Sequence, residues 1–200
     1  MFPTILPSFK KIREKNKKTS VDAPFNFLLT CLYPSNQLKI YDYNRLVKDL
    51  NGMKKDEFIE AVKKKFFVTE AKEKDFATEE LHHFGMFLDG KWYSLVAKEN
   101  SYPSDPVNSL DVAILQNNLL APILGIQDPR TDKRIDFMAG TKGLSALEKR
   151  VNKNKAAVAF ALYPCTMEQL FAVADAGEVM PPKSTWFEPK LLSGLTIYKV

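Results

Sequence analysis

The chain has 200 residues, of which 45% are hydrophobic and 12% aromatic, with a formal net charge of +5. That composition supports a buried core and excludes a disordered or collagen-like polymer. No run approaches the length of a membrane span, and the opening MFPTILPSFKK lacks the charge order and cleavage site of a signal peptide, so a cytoplasmic location is expected.

The positive excess is local. FKKIREKNKK sets Lys10, Lys11, Arg13, Lys15, Lys17 and Lys18 against Glu14, which matches the whole excess. Only Phe9 there can stack on a base, so the segment reads as a solvated helix face and nucleic-acid binding ranks last. Residues 1–20 are therefore set apart as a basic N-terminal segment, followed by a first lobe (21–100) and a second lobe (101–200).

FNFLLTCLY (25–33) is a dense apolar run that predicts a buried strand, with LKIYDYNRLV as its partner beyond the turn PSNQ. From Lys54, Phe58, Ala61 and Val62 recur at helical spacing, and KFFVTE returns to strand character. In HFGMFLDGKWYSLVA two apolar stretches flank Asp89-Gly90, which predicts a hairpin closed by a type I′ turn. KENSYPSDPVN has two prolines and no period, and reads as a linker.

SLDVAILQNNLLAPILGI predicts a buried helix with Ser109 as N-cap, Asp111 in its first turn and an end near Leu124-Gly125. RIDFMAG is a short strand, LSALEKRV a helix, and the uncharged AAVAFALY a central strand. Thr166 three residues before Gln169 predicts a capping box opening TMEQLFAVADA, which Gly177 closes. SGLTIYKV is a final strand. The whole predicts an α/β fold with a mixed sheet and backing helices: a hairpin-rich first lobe and an alternating second lobe.

Recognised catalytic and cofactor motifs are absent from the sequence, and no cofactor is expected. Cys31 and Cys165 form no metal or disulfide pattern, and the adjacent His82 and His83 cannot serve one metal together, so no metal is expected. His83 reads as a structural residue at the hairpin's start.

MPPKSTWFEPK (180–190) stands out. Pro181, Pro182 and Pro189 stiffen the backbone around Lys183, Ser184, Thr185 and Lys190, which are residue types that contact phosphate or carboxylate. The aromatics Trp186 and Phe187 either pack beneath the loop or stack on a planar ligand. Gly140, Thr141, Lys142 and Gly143 precede a helix and form a weaker anion-binding pattern.

The stretch ADAGEVMPPKSTWFEPK resembles the carboxy-terminal signature of the domain of unknown function 1015 family, uncharacterised bacterial and archaeal proteins. Weaker family-like stretches are SLDVAILQNNLLAPILGI, HFGMFLDGKWYSL, YNRLVKDL and APFNFLLTCLY. The resemblance implies longer relatives whose earlier half carries an Asp-Gly-His-His-Arg stretch, absent here, so the chain reads as a carboxy-terminal half, inactive alone. The functional expectation is the binding half of an enzyme acting on a small anionic, possibly phosphorylated, metabolite. Lys183, Ser184, Thr185 and Lys190 would hold the anion, Lys142 and Arg134 assist, and Asp111 or Glu178 orient a polar group. A metabolite-sensing or protein-interaction module is the alternative. A homodimer through surface left by a missing half is a further expectation.

Overall fold

The computed structural model describes residues 11, 14, 15, 22–27, 29–71 and 80–190. Most of the basic N-terminal segment and the expected strand SGLTIYKV lie outside the described residues. The chain divides into two compact units, Met1–Leu38 with Pro189–Val200, and Lys39–Glu188.

In the first unit the expected strand at 25–33 does not form. A 3₁₀ turn covers Pro24–Asn26, a second covers Ser35–Gln37, and residues 29–34 have no regular structure. Leu29 and Leu32 are exposed, Leu32 at 92%, and so is Cys31. Apolar composition favours burial only where a partner strand is in register to receive it. LKIYDYNRLV, the expected partner, pairs elsewhere.

The second unit has the expected α/β class. Its six-stranded sheet runs in the order Phe66–Glu70, Lys91–Ala97, His83–Leu88, Val158–Ala161, Tyr43–Val47, Ile135–Ala139, and every pairing is antiparallel. The strands are β2 (Tyr43–Val47), β3 (Phe66–Glu70), β4 (His83–Leu88), β5 (Lys91–Ala97), β6 (Ile135–Ala139) and β7 (Val158–Ala161). β1 (Lys39–Tyr41) and β8 (Trp186–Glu188) form a separate two-stranded ribbon. Asp89 and Gly90 carry φ of 50° and 77°, the left-handed pair that a type I′ turn requires, and close β4 onto β5 with Leu88 opposite Lys91. The uncharged β7 is central, between β4 and β2, as its composition predicts.

Alternation along the strands sends side chains to two cores. Val47, Met86, Leu88, Val158 and Phe160 meet Phe58 and Val62 of α1 (Lys55–Lys63) and Ile114 and Leu115 of α2 (Asp111–Leu115). Leu46, Phe87, Trp92 and Ala159 face the other way, onto Leu147 and Val151 of α3 (Leu144–Asn152). Trp92 Nε1 donates to Glu148 Oε1 at 2.8 Å, tying α3 to the sheet.

The long helix expected from Ser109 to Leu124 is instead short. Leu110, not Ser109, is the N-cap, α2 ends at Leu115, and a π-helical segment covers Gln116–Leu120. Pro122 removes one rung, having no N–H for the carbonyl of Asn118, while Ile123 N still donates to Leu119 O at 3.0 Å. Ala121 N reaches back to Gln116 O at 2.9 Å, and buried Asn118 donates to Ser101 O at 3.0 Å.

α4 (Met167–Asp175) opens on the predicted capping box. Gln169 N donates to Thr166 Oγ1 at 3.2 Å, and Thr166 N donates to Gln169 Oε1 at 3.1 Å. Gly177, at φ 71°, ends the helix as expected, with its N–H on Ala174 O. Thr166→Ala is expected to cost about 1 kcal/mol of unfolding free energy, read from the urea midpoint. Val173 of α4 packs on Leu110 and Ala113, so the segment after α4 is carried back past α2.

Candidate functional site

The MPPKST loop turns on Lys183, which holds φ 57°, a left-handed conformation that side chains larger than glycine rarely adopt. The residue that fixes it lies in β2. Arg45 is 4% exposed, and its Nη2 donates to Lys183 O at 3.0 Å. Its Nη1 donates to Tyr43 O, and its guanidinium sits 5.2 Å from the Phe137 ring centroid. Burial lowers its pKa to about 10. Among the described residues no carboxylate pairs with it.

The aromatic pair of the loop is structural in part. Trp186 packs edge-on against Tyr43 at 5.4 Å and stands opposite Tyr41 in the β1–β8 ribbon. Lys183 Nζ lies 5.5 Å over the same Tyr43 ring, so the lysine stem folds back on the strand that carries Arg45.

Two pockets flank the loop. The first, of about 180 Å³, has Arg45 in its wall, with Asn108, Gln116 and Asn117 as polar neighbours and Pro181 and Pro182 at its rim. The second is a cleft of about 10 Å³, room for about one water, lined by Ser184 of the loop, Asp111 at the start of α2, and Tyr163, Cys165 and Gln169. Ser184 is buried and Thr185 half-buried, whereas Lys183 is exposed. Burial and the nearby Asp111 carboxylate raise the Cys165 thiol to about 11, which makes it a poor nucleophile at neutral pH.

The remaining residues singled out by sequence are placed elsewhere. Arg134 bonds Asp132 at 2.9 Å, Leu124 O at 3.0 Å and Asp49 at 3.4 Å, and lines neither pocket. Lys142 is exposed in a 3₁₀ turn before α3, and Glu178 is exposed past α4. Lys190 falls in the other compact unit. Asp111 is buried, and its Oδ1 accepts from His82 N at 2.9 Å. Among the described residues no cluster of three or more histidine, cysteine or acidic side chains can hold a metal.

Arg45 was not legible as a site residue, though one signal was present: a lone cation inside the apolar run of a strand. A second feature that went unread is Asp42. Its carboxylate accepts from Asn44 Nδ2, and its backbone carbonyl accepts from Gly140 N at 2.9 Å. Burial raises the Asp42 pKa above 3.8, so the folded state holds that proton more tightly than the unfolded chain. The stability this contributes is present below 3.8 and is lost as pH rises through the folded value. Relative to wild type, Asp42→Asn is therefore expected to gain stability as pH rises above 3.8, measured by urea unfolding across that range.

The model of a protein family of unknown function, DUF1015, matches residues 6–113, more than half of the chain. The chain belongs to the DUF1015 family. The match covers APFNFLLTCLY, YNRLVKDL and HFGMFLDGKWYSL, reaches only the first residues of SLDVAILQNNLLAPILGI, and stops before the MPPKST loop, so it gives no support to a carboxy-terminal half. No curated protein matches the sequence. Among solved structures, a mutant free serine kinase in complex with AMP is 17% identical with a TM-score of 0.48, covering 76% of this chain and 55% of its own. A mutant of the same kinase with ADP is 19% identical, with a TM-score of 0.46 and the same shares. A conserved hypothetical protein from Pyrococcus furiosus is 18% identical, with a TM-score of 0.47, over 76% of this chain and 56% of its own. The chain thus spans a little over half the length of these structures. No helix among the described residues is long and apolar enough to cross a membrane.

Proposed function

We propose that this DUF1015 chain binds a small anionic metabolite, phosphorylated or carboxylated, in the pocket walled by Arg45 and rimmed by Pro181 and Pro182. The observation that carries the reading is the buried Arg45 guanidinium without a carboxylate partner among the described residues. A cation removed from water is costly unless an anion or several acceptors meet it. Two backbone carbonyls take two of its five donors, and the others are available to a planar or tetrahedral oxyanion. Asn108, Gln116 and Asn117 supply neutral hydrogen-bonding groups on the facing wall. The exposed Lys183 and the half-buried Thr185 sit on the same loop beyond the Pro181–Pro182 rim and line no part of the pocket, so Lys183 adds positive charge near the site rather than a direct contact.

Binding without turnover is the expected behaviour of this chain alone. The one thiol in the adjoining pocket is held protonated. An enzyme built on this site would draw its reacting groups from a further segment, whereas a sensor needs none. The test is calorimetric titration with inorganic phosphate, then with small phosphorylated and carboxylated metabolites. Saturable heats that vanish when Arg45 is replaced support the reading. Absence of saturable binding across the panel overturns it, and turnover of any of these compounds by the purified chain sinks the inactive part.

A further inference from the structure

The amide side chains that share a pocket with Arg45 are each held in one orientation by their neighbours. Gln116 Nε2 donates to Ile126 O at 2.7 Å, and since a carbonyl can only accept, the amide must turn its nitrogen to that side. Its Oε1 is the atom left over. Nothing among the described residues donates to it, and it is not buried away from solvent. Asn108 is fixed in the same way, with Nδ2 at 3.2 and 3.1 Å from the two carboxylate oxygens of Asp105. Asn108 Oδ1 accepts from Asn117 Nδ2 at 3.4 Å, which leaves the exposed Asn117 with an Oδ1 that also lacks a donor. The amide nitrogens are thus engaged by the protein itself. What the pocket offers a ligand is one buried guanidinium and two carbonyl acceptors, with no acidic residue in its lining.

Resting on the anion reading above, we infer that the ligand of this pocket is a short hydroxycarboxylate, its carboxylate on Arg45 and its hydroxyl donating to Gln116 Oε1. One buried cation is neutralised by one negative charge, and the planar guanidinium matches a planar carboxylate. A phosphate carries more than one charge at neutral pH and presents mainly acceptor oxygens to a wall that already holds acceptors, so it binds more weakly. An amino acid of the same length satisfies the carbonyls with an ammonium, but no acidic residue in the lining balances that second cation beside Arg45. A plain carboxylate leaves Gln116 Oε1 without a donor in the closed site. Size sets the length of the chain. A cavity of about 150 Å³ accommodates benzene, so one of about 180 Å³ takes roughly six to eight non-hydrogen atoms. Val107 and Val112 supply the apolar surface against which the hydrocarbon part rests.

The experiment is calorimetric titration of the whole chain with 3-hydroxybutyrate, butyrate, 3-aminobutyrate and inorganic phosphate. The expected result is that 3-hydroxybutyrate binds at least threefold more tightly than each of the others, the size of one neutral hydrogen bond. In Gln116→Met, which keeps the side-chain length and removes the acceptor, the ratio of 3-hydroxybutyrate to butyrate affinity should fall to about one. If that variant fails to fold because Ile126 O loses its donor, 3-methoxybutyrate on the wild-type chain replaces it. The methyl ether keeps the oxygen and lacks the hydrogen, so it should bind no better than butyrate. The inference is overturned by equal affinity for butyrate and 3-hydroxybutyrate, or by tighter binding of phosphate or 3-aminobutyrate. It is equally overturned by an unchanged ratio in folded Gln116→Met, or by 3-methoxybutyrate binding as well as the hydroxy acid. In all of these an anion still binds, so the anion reading survives them. Absence of binding by every compound overturns the anion reading and this inference together.

Discussion

Gly140→Ala is expected to destabilise the second unit by about 2–3 kcal/mol, an effect usually confined to overpacked cores. Nothing about the Gly140 backbone demands glycine, since its φ is not in the left-handed region. The constraint is space. A Cβ at this position would overlap three atoms of the Asp42 side chain, Cγ and both carboxyl oxygens. The carboxylate cannot simply swing aside, because it holds Asn44 Nδ2, and Asn44 in turn accepts from Leu162 N at 2.9 Å with its Oδ1. The Gly140 N–H bond to Asp42 O also fixes the two backbones at their present separation. Accommodating a methyl group thus disturbs the junction of β1, β2 and β6 together. The measurement is a double-mutant cycle with Asp42→Ala, followed by urea unfolding. Asp42→Ala alone costs stability through the freed Asn44 amide but opens the space, so the double variant should lose clearly less than the sum. Simple additivity would show that the clash is relieved elsewhere and would remove Gly140 from the argument.

The parts of this fold that were legible in sequence are those decided within a few residues. Asp89-Gly90 needs only its own φ angles, and Thr166 with Gln169 needs only one helical turn; both form as read. The Asp42–Gly140 contact and the Arg45–Lys183 bond join residues far apart in the chain, and no local pattern announces either. FNFLLTCLY failed for a related reason. Its composition suits a strand, but the segment expected to pair with it was claimed by β6, β7 and β8. The helix expected over 109–124 rested on its apolar surface, whereas the chain there forms the short α2 followed by a π-helical segment. Of the site, the stiffness of the Pro181–Pro182 rim and the burial of Ser184 are consistent with the loop's unusual composition. The polarity of the site was harder to see. A lone arginine in YNRLV resembles a solvent-facing position of an alternating strand, and Asp111 resembles an ordinary first-turn acid. Both turned out to be buried charges, and burial is a tertiary property.

Arg45→Met is expected to weaken anion binding by about 10- to 100-fold, since hydrogen bonds to a charged group contribute about 1.5–3 kcal/mol. The same substitution should leave global stability near that of wild type. A buried cation replaced by an apolar side chain of similar length removes a desolvation cost, and this offsets the loss of its bonds to Tyr43 O and Lys183 O. Arg45→Lys separates charge from geometry. Lysine keeps the cation but not the planar fork, and it cannot hold Lys183 O while presenting further donors to a ligand. Its affinity should fall between wild type and Arg45→Met, while its stability falls below both, because the ammonium is more strongly hydrated and more costly to bury. Titration with inorganic phosphate and urea unfolding, run on all three proteins, give the two orders independently. If Arg45→Met binds phosphate as wild type does, Arg45 is only the latch of the loop, and the anion site must be sought at Lys183 itself. If Arg45→Met both binds weakly and unfolds early, the loss of binding follows from the loss of the loop, and the guanidinium has no direct claim on the ligand.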